Sequence, residues 1–418
     1  MDGWKQMIKF QLIALMGLLS AASAMAEVVH ITAKFAPDPS RPHVNVFENT
    51  TPNSGYCGIY PQTCNSPTYK IFSVGTNIEF NSVRPIPAKH TNPRAGATFK
   101  VPANWKIVPV KDELGRDASA VELRVAGFGG TYKLSKRVQE LIGEAIPLYP
   151  ALNKLWEFGD WGIAPTGCNE TAGGAHVTDT EHDFFWLSPV ERYCSNQARF
   201  EVPQFAYRDF SFAYQIKTPN PLKMAPGIYT GSAVYTVGPH LDFDFGDNMQ
   251  PTDSIIQIDF TLTVDHVFNI EIPPGGHKVV LLPEGGWQAW LNHGRKPTRL
   301  FRDQTFNVWT STPFKMKLEC SEPLGDTCAL QDGKGDTVPL NINVSLPNGL
   351  VDASGSSVTR RPLLLSGSGT ERFEPNIYVD RKPGTLHFEV TKEGVAQMLK
   401  FPGHSYSGEV TVIWDSEV

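Results

Sequence analysis

The chain has 418 residues, which suggests two or three domains and is ample for a buried core. Gly (36) and Pro (33) together make about one residue in six and 41% of positions are apolar, a turn-rich globular composition rather than a helical one. Lys and Arg number 37 against 43 Asp and Glu, for a net charge of −6, so no nucleic-acid partner is expected; no apolar run long enough for a membrane-spanning helix follows position 26.

Residues 1–26 read as a secretory signal: Lys5 and Lys9 form a short basic region, Phe10 to Leu19 is apolar, and Ala24-Met25-Ala26 is a small-residue cleavage site. The mature chain is expected to begin at Glu27 and to carry about −7. Export implies an oxidising compartment, in which six cysteines are read as disulfides. Fifteen connectivities are open to them, of which the sequence-local set Cys57–Cys64, Cys168–Cys194 and Cys320–Cys328 is the simplest. Close pairs of the zinc-binding C-x2-C kind are absent.

Along the mature chain, period-two alternation predicts strands over Val28–Phe35, Lys70–Phe80, Ala120–Ala126, Phe210–Ile216, Ile228–Val237 and Ile255–Val264. Further strands are predicted over Phe306–Ser311, Phe314–Leu318, Leu340–Leu346 and Thr385–Val390. One amphipathic helix is expected from Leu134, Val138, Leu141, Ile142 and Ala145, ended by Pro147, with a short turn near Leu152–Trp156. Ile255–Val264 looks like the closing strand of one unit, and Pro273-Pro274-Gly275-Gly276 soon follows. The expectation is an all-β chain of two tandem β-sandwich domains, 27–265 and 266–418, the second of one immunoglobulin-like sandwich's size.

The last residues, Tyr406 to Val418, form a strand with Val410, Val412 and Trp414 on one face and nothing after it to complete a hairpin, an edge open to another chain. This tail resembles the final strand of subunits from bacterial chaperone–usher pili. The run Gly285 to Arg295, the strand through Val308–Ser311 and the Cys320–Cys328 couple are similar to the pilin domain of two-domain tip subunits, as in colonisation-factor and cable-pilus tip proteins and pseudomonad Cup fimbrial adhesins. The resemblance covers roughly residues 266–418. It implies an incomplete immunoglobulin-like pilin fold lacking its last strand, with Val410, Val412 and Trp414 in a groove filled by β-augmentation. The implied partners are a periplasmic pilus chaperone, an outer-membrane usher and an adjacent pilin subunit that donates a strand. A stretch near Lys278–Leu282 is expected to be the second wall of that groove. Because Glu27 leads straight into a strand, with no donor extension, the subunit is expected at the pilus tip on the cell surface, reached by secretion through the periplasm.

For receptor recognition, a host glycan or surface protein, the expected contacts are Trp156, Asp160, Trp161, Asn169, His182, Asp183 and Trp186: aromatic faces for a sugar ring beside polar groups for its hydroxyls. The loop around Cys57 and Cys64, with Tyr56, Tyr60 and Gln62, is a second rim; Arg192, Arg199 and Arg208 are scattered. Signals for catalysis are weak. G-x-S-x-G and H-E-x-x-H are absent, and Gly127-Phe128-Gly129-Gly130 completes no phosphate loop. His176 to Asp183 is rich in imidazole and carboxylate but reads as solvated loop, and His240 to Asp247 reads as a half-buried strand rather than a calcium loop. Neither a metal, a cofactor nor an enzymatic activity is therefore expected. The alternatives are a secreted glycan-processing enzyme with a sandwich accessory domain, and an assembly-initiating pilus subunit that binds no host receptor.

Overall fold

A computed structural model describes residues 26–65, 71–170 and 176–416, so the expected signal segment lies almost wholly outside the described residues. The chain is all-β, with strands in four sheets and six short helices among the described residues. Among the described residues two large hydrophobic cores form, one from residues between Val29 and Val264 and one from residues between Leu300 and Val395 with flanking side chains from Phe268 to Trp414, together with a small cluster of Tyr56, Cys57, Cys64, Phe185 and Ala213.

The first core is wrapped by one 12-stranded sheet, with a two-stranded sheet beside it. Its main strands are β1 (Glu27–Phe35), β2 (Lys106–Lys111), β3 (Asp117–Leu134), β4 (Glu181–Leu187), β5 (Phe205–Lys217), β6 (Gly227–Thr236) and β7 (Ile255–Val264). They run in the order β5-β3-β2-β6-β7-β1, and β1 joins β7 in parallel. Strand β7 shows the predicted pattern in full, with every second side chain buried from Ile256 to Val264.

The large sheet changes partners along β3. One edge of β3 pairs first with β2, up to Leu123, and then with β4, from Gly127 onward. Glycine makes the second contact possible: a Cβ on Gly129 would sit 2.1 Å from the Phe184 carbonyl oxygen and 2.6 Å from the Phe185 ring. This is the role of the Gly127–Gly130 run. The predicted Lys70–Phe80 strand is broken into Ser73–Gly75 and Phe80–Ser82. Both pieces pair with β5, on either side of an irregularity at Asp209, whose φ is 52°.

The expected helix from Leu134 to Ala145 is mostly not helical. Leu134 belongs to β3, and α1 (Val138–Ile142) is stopped by Gly143 in the left-handed conformation. Pro147 does not end this helix but begins the longer α2 (Leu148–Leu155), which buries Ala151, Leu152 and Leu155. Apolar spacing alone did not distinguish one long helix from a strand end and two short helices.

The second core lies between an eight-stranded and a four-stranded sheet. Its elements are β8 (Phe268–Glu271), β9 (Leu282–Pro283), α3 (Gln288–His293), β10 (Leu300–Thr310), β11 (Phe314–Cys320), β12 (Thr327–Gln331), β13 (Thr337–Ser345), β14 (Phe373–Pro375), β15 (Val379–Val390) and β16 (Val410–Ser416). The larger sheet runs β8-β10-β15-β13-β12, with β9 also on β10; the smaller carries β14-β11-β16. Pro273-Pro274-Gly275-Gly276 lies inside this unit, looping away between β8 and β9.

His266 sits between the two cores. Desolvation of its part-buried ring lowers the pKa and favours the neutral form. Nε2–H donates to the Met224 carbonyl at 2.8 Å, and Nδ1 accepts from Ser311 Oγ at 2.9 Å. Ser311 Oγ in turn accepts the Val267 N–H.

All three expected disulfides are present, each with Cα atoms 5.6 Å apart. Cys320–Cys328 joins β11 of the smaller sheet to β12 of the larger, so one short hairpin clamps the two layers together.

Candidate functional site: an open groove in the second sandwich

Strand β16 pairs with β11 over its full length, from Phe314↔Ser416 to Cys320↔Val410, and has no strand on its other side among the described residues. The facing sheet is also incomplete at this margin. Strand β8 covers β10 only as far as Asn307 and β9 begins at Phe301, so the β10 edge between them, Arg302–Phe306, has no strand partner there. The prolines at 273 and 274, which lack N–H donors, lie in the segment that loops away.

Between these two edges lies a groove of about 1070 Å³. Ile270, Leu281, Phe306, Leu386, Val412 and Trp414 are among its lining residues. Val410, Val412 and Trp414 are only part-buried, although all three pack against the core. The Trp414 ring lies 4.7 Å from Phe306 and 5.9 Å from Phe314, reaching from one sheet to the other. Residues 278–281 line the opposite side without forming a strand; the expected strand there is limited to Leu282–Pro283. Trp290 of helix α3 and Trp287 just before it also line the groove, with rings 6.0 Å apart.

Part of the lining is polar. His404 Nδ1 donates to the buried Asp332 carboxylate at 2.7 Å, and Lys334 Nζ lies 3.1 Å from Nε2. Tyr406 donates to Asp336, and burial together with that carboxylate pushes its phenol up to about 12. The groove is thus a mainly apolar channel with a hydrogen-bonded patch, and it is bordered by backbone groups of two unpaired strand edges. Such a surface can accept an extended segment that supplies ladder hydrogen bonds and alternate apolar side chains.

In the first unit, the structure corrects the expected contact set. Trp156, Trp161 and Trp186 are 0%, 0% and 1% exposed and pack with Tyr132, Phe184 and Phe205. They meet one another, with ring centroids 5.2 Å apart for both Trp156–Trp161 and Trp161–Trp186, but as core; no face is left for a sugar. His182 is also buried, with its pKa lowered by desolvation. Asp160 accepts from the Gly162 N–H, and Asn169 is exposed on a two-residue strand beside Leu187.

Asp183 alone joins the second rim. It accepts from Thr131 Oγ1 at 2.6 Å and from the Tyr60 hydroxyl, which also receives the His176 N–H. Burial and Asp183 raise the Tyr60 phenol. The remaining acids of this loop are engaged by cations, Glu181 by Lys133 and Asp179 by Arg137. The buried Asp244 receives Arg94, the Tyr193 hydroxyl and two backbone N–H groups. Burial opposes its charge, but these donors outweigh it and keep the carboxyl below its usual range. Among the described residues no metal-binding cluster forms.

Among the described residues of the first unit, an exposed tryptophan outside the expected contact set is Trp105. It is 37% exposed, with Lys217 Nζ 4.0 Å and the Arg124 guanidinium 5.1 Å from its ring centre. The available signal was its position between Asn104 and Lys106, outside any apolar run.

Neither a protein-family model nor a curated protein matches the chain. Among solved structures, similarity is found to the CsuC–CsuE chaperone–tip adhesion subunit pre-assembly complex from archaic chaperone–usher Csu pili of Acinetobacter baumannii. The match covers 94% of this chain and 99% of that one, at 11% identity and a TM-score of 0.22. At that TM-score the likeness carries no functional argument.

Proposed function

We propose that the chain is a subunit of a chaperone–usher pilus, placed at the tip, in which residues 266–418 accept a donated strand and residues 27–265 bind a receptor. The supporting observation is the groove between β16 and residues 278–281, apolar along Val412 and Trp414 and flanked by strand edges without neighbours. A donated strand laid beside β16 would satisfy that edge and cover the exposed sides of Val410, Val412 and Trp414. In the periplasm the donor would be a chaperone edge, and in the fibre the extension of an adjacent subunit. The usher and the surface location follow from the same assignment. Residues 27–265 enclose a core of their own, which suits a separate binding unit. Its receptor, a glycan or a surface protein, would be met by exposed groups such as Trp105 or the Tyr60–Asp183 rim rather than by the buried tryptophans.

The deciding experiment is co-expression of the mature chain in a periplasm with and without a pilus chaperone. Recovery of a one-to-one complex that loses the chaperone when Val412 is changed to Asp supports the assignment. A monomeric chain that is equally soluble alone and binds no donor strand rejects it.

A further inference from the structure

We propose that Ser345 is an activated nucleophile for acyl transfer, driven by a Ser345–His387–Asp303 relay on the outer face of the larger second sheet. Three adjacent strands build it. In the ladder β10-β15-β13, Asp303 and Asn343 both stand opposite His387, and Ser345 is two positions beyond Asn343. Side chains alternate along a strand, so Leu386 and Phe388 enter the core while His387 faces the other way. The relay therefore lies on the opposite face from the groove and does not depend on the pilus assignment.

The hydrogen-bond directions are determined by the donors available. The Arg360 N–H donates to Ser345 Oγ at 3.0 Å, which leaves the Ser345 hydroxyl proton to donate to His387 Nε2 at 2.8 Å. Nδ1–H then donates to Asp303 Oδ1 at 2.7 Å. This is the arrangement a serine nucleophile requires: a base on its hydroxyl and a carboxylate that holds the base in the correct tautomer. Arg360 itself has a φ of 45°, a left-handed conformation costly for a non-glycine residue, and this conformation presents its N–H at Ser345. Its guanidinium is half exposed, 4.0 Å from Glu389. The Arg360 N–H thus holds the nucleophilic oxygen itself, with its proton directed to His387 Nε2.

In the reaction, Ser345 Oγ attacks the carbonyl carbon of an ester while its proton passes to His387 Nε2. The tetrahedral adduct collapses to acyl-Ser345, and the leaving alkoxide takes the proton from Nε2. Water repeats the sequence to release the acid. Ser345 is only part-buried while His387 is 8% exposed, which suits small acyl esters rather than bulky polymers.

The test uses the intact mature chain, a fluorophosphonate probe and p-nitrophenyl acetate, with peptide mass spectrometry to locate the adduct. The expected result is labelling at Ser345 at least tenfold faster than at the exposed Ser356, and loss of both adduct and acetate release in Ser345→Ala. His387→Gln should slow labelling about 100-fold. Asp303→Asn alters a half-exposed side chain and keeps the fold, so it remains informative if His387→Gln does not fold; it should slow labelling at least tenfold. Labelling of Ser345 no faster than of Ser356, or a rate unchanged by Asp303→Asn, would mean that the three bonds only pin the strands together and would overturn the proposal.

Discussion

Filling the groove should stabilise the second sandwich by an amount that follows from its exposed lining. Complete burial of a large apolar side chain is worth roughly 1.5–3 kcal/mol. Val410, Val412 and Trp414 are each already largely covered, so a donated strand that buries the remaining third or less of each contributes about 0.5–3 kcal/mol from these three alone. For a unit of this size that corresponds to a rise in melting temperature of about 1–12 °C. The assay is calorimetry of the mature chain with an extended peptide that alternates apolar and polar residues, titrated to saturation, with a scrambled peptide of equal composition as control. Val412→Asp places a carboxylate in the path of the strand, and burying it unpaired costs at least as much as the peptide contributes. The variant should therefore lose the rise, measured against its own unliganded transition, which the loss of the Val412 core contact lowers. A saturating peptide that leaves the melting temperature unmoved, or a rise that survives Val412→Asp, would refute the assignment of this groove as the docking site.

Residues 27–265 expressed alone in a periplasm should be soluble and melt cooperatively, since their core closes without the second unit; persistent aggregation in the absence of any chaperone would contradict this. Trp105→Ala should weaken receptor binding at a stability cost of only about 1–2 kcal/mol from its two lost cation–π contacts, whereas Trp161→Ala should destabilise the first unit by about 3–5 kcal/mol, as read from binding assays and denaturant melts of the same variants. Acid should weaken the protein before its carboxylates titrate. Burial lowers the folded-state pKa values of both His182 and His266 below 6.5, so the unfolded chain binds these protons first. Stability should fall as pH drops through 6.5 and level off once the lower folded values are passed. Melting curves across that interval check this, and His266→Gln should flatten part of the slope.

The readable part of this fold is the part determined by neighbours along the chain. Alternation at Ile255–Val264 and Leu340–Leu346 anticipated strands, found at Ile255–Val264 and Thr337–Ser345, whose every second residue is buried, because a strand's two faces are set by local geometry. The nearest-cysteine pairing succeeded for the same reason, since closing a short loop needs no long-range information. The second half of the groove site was legible as well: Val410, Val412 and Trp414 share a face in sequence and line the groove in space.

Burial of tryptophan was not legible, because Trp105 and Trp161 have the same chemistry and only the packing of distant strands determines which ring meets water. Leu134 fits a helical stripe equally well, but its pairing with Phe205, far along the chain, draws it into β3. Asp303, Ser345 and His387 carry no local motif, with His387 42 residues from Ser345 and 84 from Asp303. Cross-strand register alone brings their side chains within hydrogen-bond reach. Register depends on which strands pair, and that choice is made by the burial of two whole cores rather than by any short stretch of sequence.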